Sequence, residues 1–153
     1  MIIGVGSDLC SIDRIAGAIE RKGDRFVRRF CSEAEAWPWP SDPGSYFALR
    51  FAIKEACAKA LGTGITDRVR WQDIEVYEQG SGLAIRLDGG ALRRLRRLAK
   101  SHLQDIRLHT EKNADFVLAV VVIEDSLLVR NDSIDFSKVL AQEPKLDRNY
   151  RCS

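Results

Sequence analysis

The sequence predicts an α+β fold in which helices pack on a small antiparallel sheet, and two observations indicate it. In the first half of the chain, apolar residues recur at helical spacing, as at Ile12, Ile15 and Ile19. In the second half, short β-favouring segments alternate with turn residues, and Gln79-Gly80-Ser81-Gly82 is typical of a hairpin. Helices that precede the antiparallel strands, instead of alternating with them, are characteristic of this class.

The first third of the chain is expected to begin with a buried strand over residues 1–5. The turn-like Gly-Ser-Asp that follows would place Asp8 at the strand end. A helix is expected next, ending at Lys22-Gly23; its apolar positions are Leu9, Ile12, Ile15, Ala16 and Ile19. Short helical turns over residues 26–30 and from Ser32 precede a turn-rich loop over residues 37–44.

The remaining elements follow in order. We expect a long helix over residues 45–61, a hairpin, a helix over residues 90–101 and two further strands. The four expected strands cover residues 74–77, 83–87, 106–108 and 116–123. The last of them is almost continuously apolar, which predicts a central position. After residue 128 apolar residues become scarce, so residues 1–125 are predicted as one domain and residues 126–153 as a flexible or peripheral tail.

Composition limits the function classes. With 153 residues, 45% hydrophobic and 30% charged, the chain is typical of one soluble domain. No apolar run approaches the roughly 20 residues of a membrane span, and no signal peptide is recognisable, so we expect a cytoplasmic protein without a membrane partner. The four cysteines form no CxxC and only two histidines are present, which argues against a zinc or redox site.

The long helix combines an apolar sequence with two charges. Glu55 falls within about 40° of the apolar stripe, and Lys59 follows one turn later. Spacing alone leaves two interpretations open. One is an ordinary i,i+4 ion pair in a helix that ends on glycine. The other is a ligand site, because Gly62 and Gly64 let a backbone approach a phosphorylated ligand, and Asp8 with Glu55 would suit Mg²⁺.

Two segments are strongly basic. Residues 14–29 carry six arginines and lysines against two acids, and could meet an acidic protein, a nucleic acid or only water. The second segment, containing Arg93, Arg94, Arg96 and Arg97, is interpreted as the solvated surface of a helix.

Several segments together resemble the bacterial holo-[acyl-carrier-protein] synthases, the small 4′-phosphopantetheinyl transferases. They are GVGSDL at 4–9, IDRI at 12–15, RFAIKEA with KALGTG over 50–64, WQDIEV at 71–76, and residues 116–124. The resemblance covers about residues 1–124 in the right order and spacing. It implies the 4′-phosphopantetheinyl transferase fold and transfer of 4′-phosphopantetheine from coenzyme A to a serine of apo acyl carrier protein, for fatty acid biosynthesis, with release of 3′,5′-ADP.

The resemblance also implies roles for individual residues. Asp8 and Glu55 match the family's two Mg²⁺ carboxylates, and Lys59 matches the lysine placed against the reacting phosphates. Glu55 would also orient or deprotonate the serine. The residues expected to bind coenzyme A are Arg50, Lys59, Gly62, Gly64, His109 and Thr110. The residues expected to dock the acidic carrier protein are Arg14, Arg21 and Arg25. The implied assembly is a homotrimer with active sites between subunits, and no nucleic acid is involved.

One stretch departs from the family. The loop expected before the last strand is His109-Thr110-Glu111-Lys112, where the family has small hydroxyl residues. His109, Thr110 and Lys112 can still donate to a coenzyme A phosphate, whereas Glu111 would repel one. Two alternatives therefore stay open: the same chemistry on a specialised carrier protein, and a weakened relative that binds carrier or nucleotide without efficient transfer.

Overall fold

The computed structural model describes residues 1–66, 68–100 and 103–125. The expected tail, residues 126–153, lies outside this part of the chain, so the domain boundary stays a prediction. In the described ranges no helix combines the length and the apolar character that crossing a membrane requires. The cytoplasmic location also stays a prediction.

The described elements confirm the predicted α+β class. Their order is β1 (Ile2–Ser11), α1 (Ile12–Lys22), α2 (Asp24–Val27), α3 (Glu33–Ala36), α4 (Pro43–Ala60), β2 (Ile74–Gln79), β3 (Gly82–Leu87), α5 (Gly89–Leu98), β4 (Gln104–Lys112) and β5 (Phe116–Asp125). Strands β1, β5 and β4 form a three-stranded antiparallel sheet in that order, and β2 pairs with β3 in the expected hairpin. A short 3₁₀ turn, Trp71–Asp73, precedes β2.

Helix α4 packs on one face of the three-stranded sheet, which we call the inner face. The central strand β5 presents four fully buried apolar residues to it: Val117, Ala119, Val121 and Ile123. Two glycines of β1 permit the close approach. A Cβ at Gly4 would lie 2.0 Å from the Ala60 carbonyl oxygen, and one at Gly6 would lie 2.0 Å from the Ala56 carbonyl oxygen. Any larger residue would push helix and sheet apart.

Strand β1 is longer than predicted. The Gly-Ser-Asp segment is not a turn: Asp8 pairs with Ala119 and Leu9 with Leu118, so both residues lie within the strand and not at its end or in α1. Gly6 is needed for the close contact with α4 and not for a turn. The strand continues to Ser11 because β5 supplies backbone hydrogen-bond partners that far. Because alternate residues share a face, Asp8 lies on the inner face with Gly4 and Gly6.

Strand β4 also exceeds its expected length. His109 pairs with Val120 and Thr110 with Ala119, so the expected loop over residues 109–112 is strand. The turn begins only at Asn113, whose side-chain oxygen accepts hydrogen bonds from the backbone N–H groups of Asp115 and Phe116 at 2.9 and 2.7 Å. The pairing register puts Thr110 on the inner face and His109 on the opposite one, which we call the outer face.

A buried ion pair connects α3, α4 and the start of the hairpin. Lys54 Nζ donates to Glu35 Oε2 at 2.8 Å and to the Trp71 carbonyl oxygen at 3.2 Å. Glu35 also accepts from the backbone N–H groups of Ser32 and Val76, at 2.8 and 3.0 Å. The fully buried charge of α4 is therefore Lys54, a residue for which the sequence predicted no role.

Candidate active site

Asp8 and Lys59 form an ion pair between β1 and the last turn of α4. Lys59 Nζ lies 2.7 Å from Asp8 Oδ1 and donates to the Ser7 carbonyl oxygen at 2.9 Å. The lysine side chain is 47% exposed and the aspartate 16%. Lys59 therefore contacts β1 and does not form the i,i+4 pair with Glu55 that spacing alone left open, and its ammonium remains accessible to a ligand.

Glu55 lies one turn before Lys59 and is half-buried. Its Oε1 accepts a hydrogen bond from the indole Nε1 of Trp71 at 2.9 Å. The backbone of Trp71 is itself fixed, because its carbonyl accepts from Lys54. Glu55 is thus partnered by a neutral donor, which orients the carboxylate without cancelling its charge.

The charges of Asp8 and Glu55 both act on the Cys10 thiol. Burial raises the pKa of Cys10, a hydrogen bond and the positive charge from Arg14 lower it, and the charges of Asp8 and Glu55 raise it again. Arg14 lies 3.7 Å from the sulfur and stacks 5.6 Å from the centroid of the Phe51 ring. A raised pKa keeps the thiol protonated at neutral pH and makes it a poor nucleophile. The charges that act on it indicate that Asp8, Glu55 and Arg14 lie in the same neighbourhood.

The carboxylates suit a hard divalent ion. Lys59 and Trp71 each engage one oxygen, and among the described residues the second oxygen of Asp8 and of Glu55 has no hydrogen-bond donor, so it can bind another ligand. Among the described residues no group of three histidine, cysteine or acidic side chains would hold a metal by itself. An ion bound here would complete its shell with water and phosphate oxygens, as Mg²⁺ commonly does.

The loop after α4 requires its two glycines. Gly62 has φ 70° and Gly64 φ 61°, in the left-handed region that side chains disfavour. The backbone N–H groups of Thr63 and Gly64 donate hydrogen bonds to the Ala58 carbonyl oxygen, at 3.3 and 3.1 Å. The chain therefore turns sharply one helical turn beyond Lys59.

Two of the residues expected to bind coenzyme A lie apart from Asp8 and Glu55 within one chain. Arg50 is 4% exposed, and its guanidinium lies 3.6 Å from the centroid of the Tyr46 ring. Arg50 and Glu55 lie about 140° apart around the axis of α4. His109, on the outer face, has Nε2 3.2 Å from Glu111 Oε1. The binding roles of Arg50 and His109 stay predictions.

The expected docking residues are exposed on α1 and α2. Arg21 and Arg25 line a groove of about 540 Å³ together with Lys22, Arg29 and the ring of Phe26. Arg14 lies at the first turn of α1, toward the Asp8 and Glu55 carboxylates. The basic segment therefore begins at Arg14, near the carboxylates, and continues through α1 and α2.

Sequence reasoning missed Trp71, Cys10 and Lys54 as neighbours of the site. Trp71 lies in a recognised motif, but nothing in the sequence indicates that a single aromatic residue 16 positions away donates a hydrogen bond to Glu55. Cys10 appeared only as a scattered cysteine.

Comparisons with known proteins agree with the resemblance. A profile of the 4′-phosphopantetheinyl transferase superfamily matches residues 4–121. The holo-[acyl-carrier-protein] synthase of Nitrobacter hamburgensis is 45% identical over 126 residues, which are 78% of this chain and 90% of that protein. A crystal structure of the Neisseria meningitidis holo-[acyl-carrier-protein] synthase has a TM-score of 0.72 at 32% identity and covers 82% of this chain and 100% of its own. The Helicobacter pylori synthase in complex with coenzyme A has a TM-score of 0.67 at 30% identity, covering 78% and 99%.

Proposed function

We propose, from the premise that this chain belongs to the 4′-phosphopantetheinyl transferase superfamily, that it is a holo-[acyl-carrier-protein] synthase. It transfers 4′-phosphopantetheine from coenzyme A to a serine of apo acyl carrier protein in fatty acid biosynthesis and releases 3′,5′-ADP. The observation that carries the proposal is the accessible Asp8–Lys59 pair next to Glu55. These are the acidic and basic groups that phosphoryl transfer requires.

Each of the three side chains has a task in this reaction. The serine oxygen forms a bond to the β-phosphorus while the bond from phosphorus to the bridging oxygen of 3′,5′-ADP breaks. Glu55, held by the Trp71 indole, accepts the serine proton. Lys59, held by Asp8 and the Ser7 carbonyl, neutralises or protonates the departing phosphate. Asp8 and Glu55 would hold Mg²⁺, which supplies further charge neutralisation on the pyrophosphate.

We also propose that other copies of the chain cover the outer face, in a homotrimer. Val5, Leu9 and Phe116 on this face are 56%, 63% and 43% exposed. Several large apolar side chains exposed on one sheet face are typical of an interface between proteins. Because His109 lies on this face and Asp8 on the inner one, His109 would serve the active site of a neighbouring subunit.

The groove around Phe26 is proposed as part of the docking surface for the acidic carrier protein. We expect Arg21→Glu to raise the KM for apo carrier protein about five- to tenfold, because charge complementarity governs encounter, while the KM for coenzyme A stays unchanged. Arg96→Glu is the matched control, since Arg96 is an exposed arginine near the end of another helix. Equal increases in both KM values, or an equal effect of the control, would contradict the docking role.

The function is tested by mass spectrometry of apo acyl carrier protein incubated with coenzyme A, Mg²⁺ and the enzyme. We expect a mass gain of one phosphopantetheine, and a loss of at least about 100-fold in rate for Asp8→Ala and for Glu55→Ala. Asp13→Ala, which removes an exposed acid near the start of α1, should retain full activity. Wild-type protein that binds coenzyme A but modifies no acidic carrier would support the weakened relative instead.

A further inference from the structure

A cleft between the loop after α4 and helix α5 contains a concentration of arginine. The cleft has a volume of about 310 Å³, and we call it the arginine cleft; its polar lining residues are Thr63, Arg68, Arg93, Arg94 and Arg97. The sequence suggested only a solvated helix surface here. The structure instead places guanidinium groups from two separate elements around one concavity.

The helical spacing brings like charges together. Arg93 and Arg97 are four residues apart and Arg94 and Arg97 three apart, so they share one side of α5, where like charges repel. Arg68, in the loop after α4, lines the same cleft. In the part of the chain that the structure describes, the ion pairs within 4.0 Å involve other residues, so no carboxylate there balances these charges.

Two features of the lining favour the binding of an anion in the cleft. Arg94 is fixed in place, because its Nε donates to the Leu61 carbonyl oxygen at 2.9 Å. The hydroxyl oxygen of Thr63 is buried and has no hydrogen-bond partner among the described residues. A buried hydroxyl normally has a partner, and an oxygen of a bound ligand would supply one.

We infer that the arginine cleft binds a phosphate monoester. The planar guanidinium group donates two parallel hydrogen bonds to phosphate oxygens, and several such groups around one concavity match a dianion better than a carboxylate. The phosphate has two possible sources. Thr63 lies one helical turn beyond Lys59, so one source is the 3′-phosphate of coenzyme A, an assignment that rests on the proposed function. The other is a separate phosphorylated small molecule.

The experiment compares the wild type with an Arg93→Ala/Arg97→Ala variant. The matched control is Arg96→Ala, because Arg96 lies on the same helix but does not line the cleft. Melting temperature is measured with and without millimolar inorganic phosphate, at constant ionic strength. We expect phosphate to stabilise the wild type and the control, and the double variant to bind phosphate about tenfold more weakly. Arg68→Ala, in the loop, provides a second cleft variant if the double variant does not fold.

Calorimetric titration with coenzyme A and with dephospho-coenzyme A, which lacks the 3′-phosphate, identifies the source. A preference for coenzyme A that the cleft variants lose assigns the cleft to the 3′-phosphate. Phosphate binding in the cleft with equal affinities for the two coenzymes assigns it to a separate phosphorylated molecule. The inference is overturned if phosphate does not stabilise the wild type. It is also overturned if phosphate stabilises the wild type, the control and the cleft variants equally. Since none of these readouts requires transfer, the inference can fail without the proposed function failing.

Discussion

Replacing Lys54 by alanine is expected to lower the free energy of unfolding by about 3–5 kcal/mol, because it leaves the buried Glu35 carboxylate without its counter-ion. The Lys54 side chain is 0% exposed and that of Glu35 2%, with 2.8 Å between Nζ and Oε2. The remaining partners of Glu35 are backbone N–H groups of Ser32 and Val76, which do not neutralise a charge. The same change removes a hydrogen bond to the Trp71 carbonyl.

Urea denaturation followed by circular dichroism measures this effect. Lys59→Ala is the control: its side chain is about half exposed and its ammonium is paired with Asp8, so its loss should cost no more than about 1 kcal/mol. A Lys54→Met/Glu35→Gln double variant should recover much of the lost stability, because it removes both charges at similar volume. A Lys54→Ala variant as stable as the control would contradict the buried-pair explanation.

The burial of Lys54 illustrates which structural features can be predicted from neighbouring residues in the sequence and which cannot. The apolar period of α4 and the turn residues between β2 and β3 act over a few positions, so both elements were predictable. Glu35, by contrast, lies 19 positions before Lys54, and no local pattern links the two. The charges of α4 were therefore expected at Glu55 and Lys59, whereas the fully buried one is at Lys54.

The extents of β1 and β4 were wrong for a related reason. Their continuations, around Asp8 and over residues 109–112, are polar and carry no strand pattern. They are strands because β5, an apolar central strand, pairs with both along its length. The predicted site residues came from the resemblance, and the structure adds what local sequence could not give: the approach of β1 to α4 at Gly6 that lets Lys59 reach Asp8.

The opposite orientations of Asp8 and His109 lead to the last prediction. In the proposed homotrimer, the Asp8→Ala and His109→Ala variants are each expected to be impaired, by at least about 100-fold for Asp8 and about tenfold for His109. Mixed trimers formed by co-expression should regain activity. If one chain supplies Asp8 and its neighbour His109, about one quarter of the sites in a random equal mixture contain both native residues.

The matched control is the mixture of Asp8→Ala with Glu55→Ala. The charges of both carboxylates act on the same Cys10 thiol within one chain, so no mixed trimer restores a complete pair and no recovery is expected. Light scattering during gel filtration verifies that the mixed species are trimers. If the mixture of Asp8→Ala and His109→Ala only averages the two single variants, His109 does not act across the interface. Full activity of His109→Ala alone would remove it from the site altogether, and the outer face would then be an interface for assembly but not for catalysis.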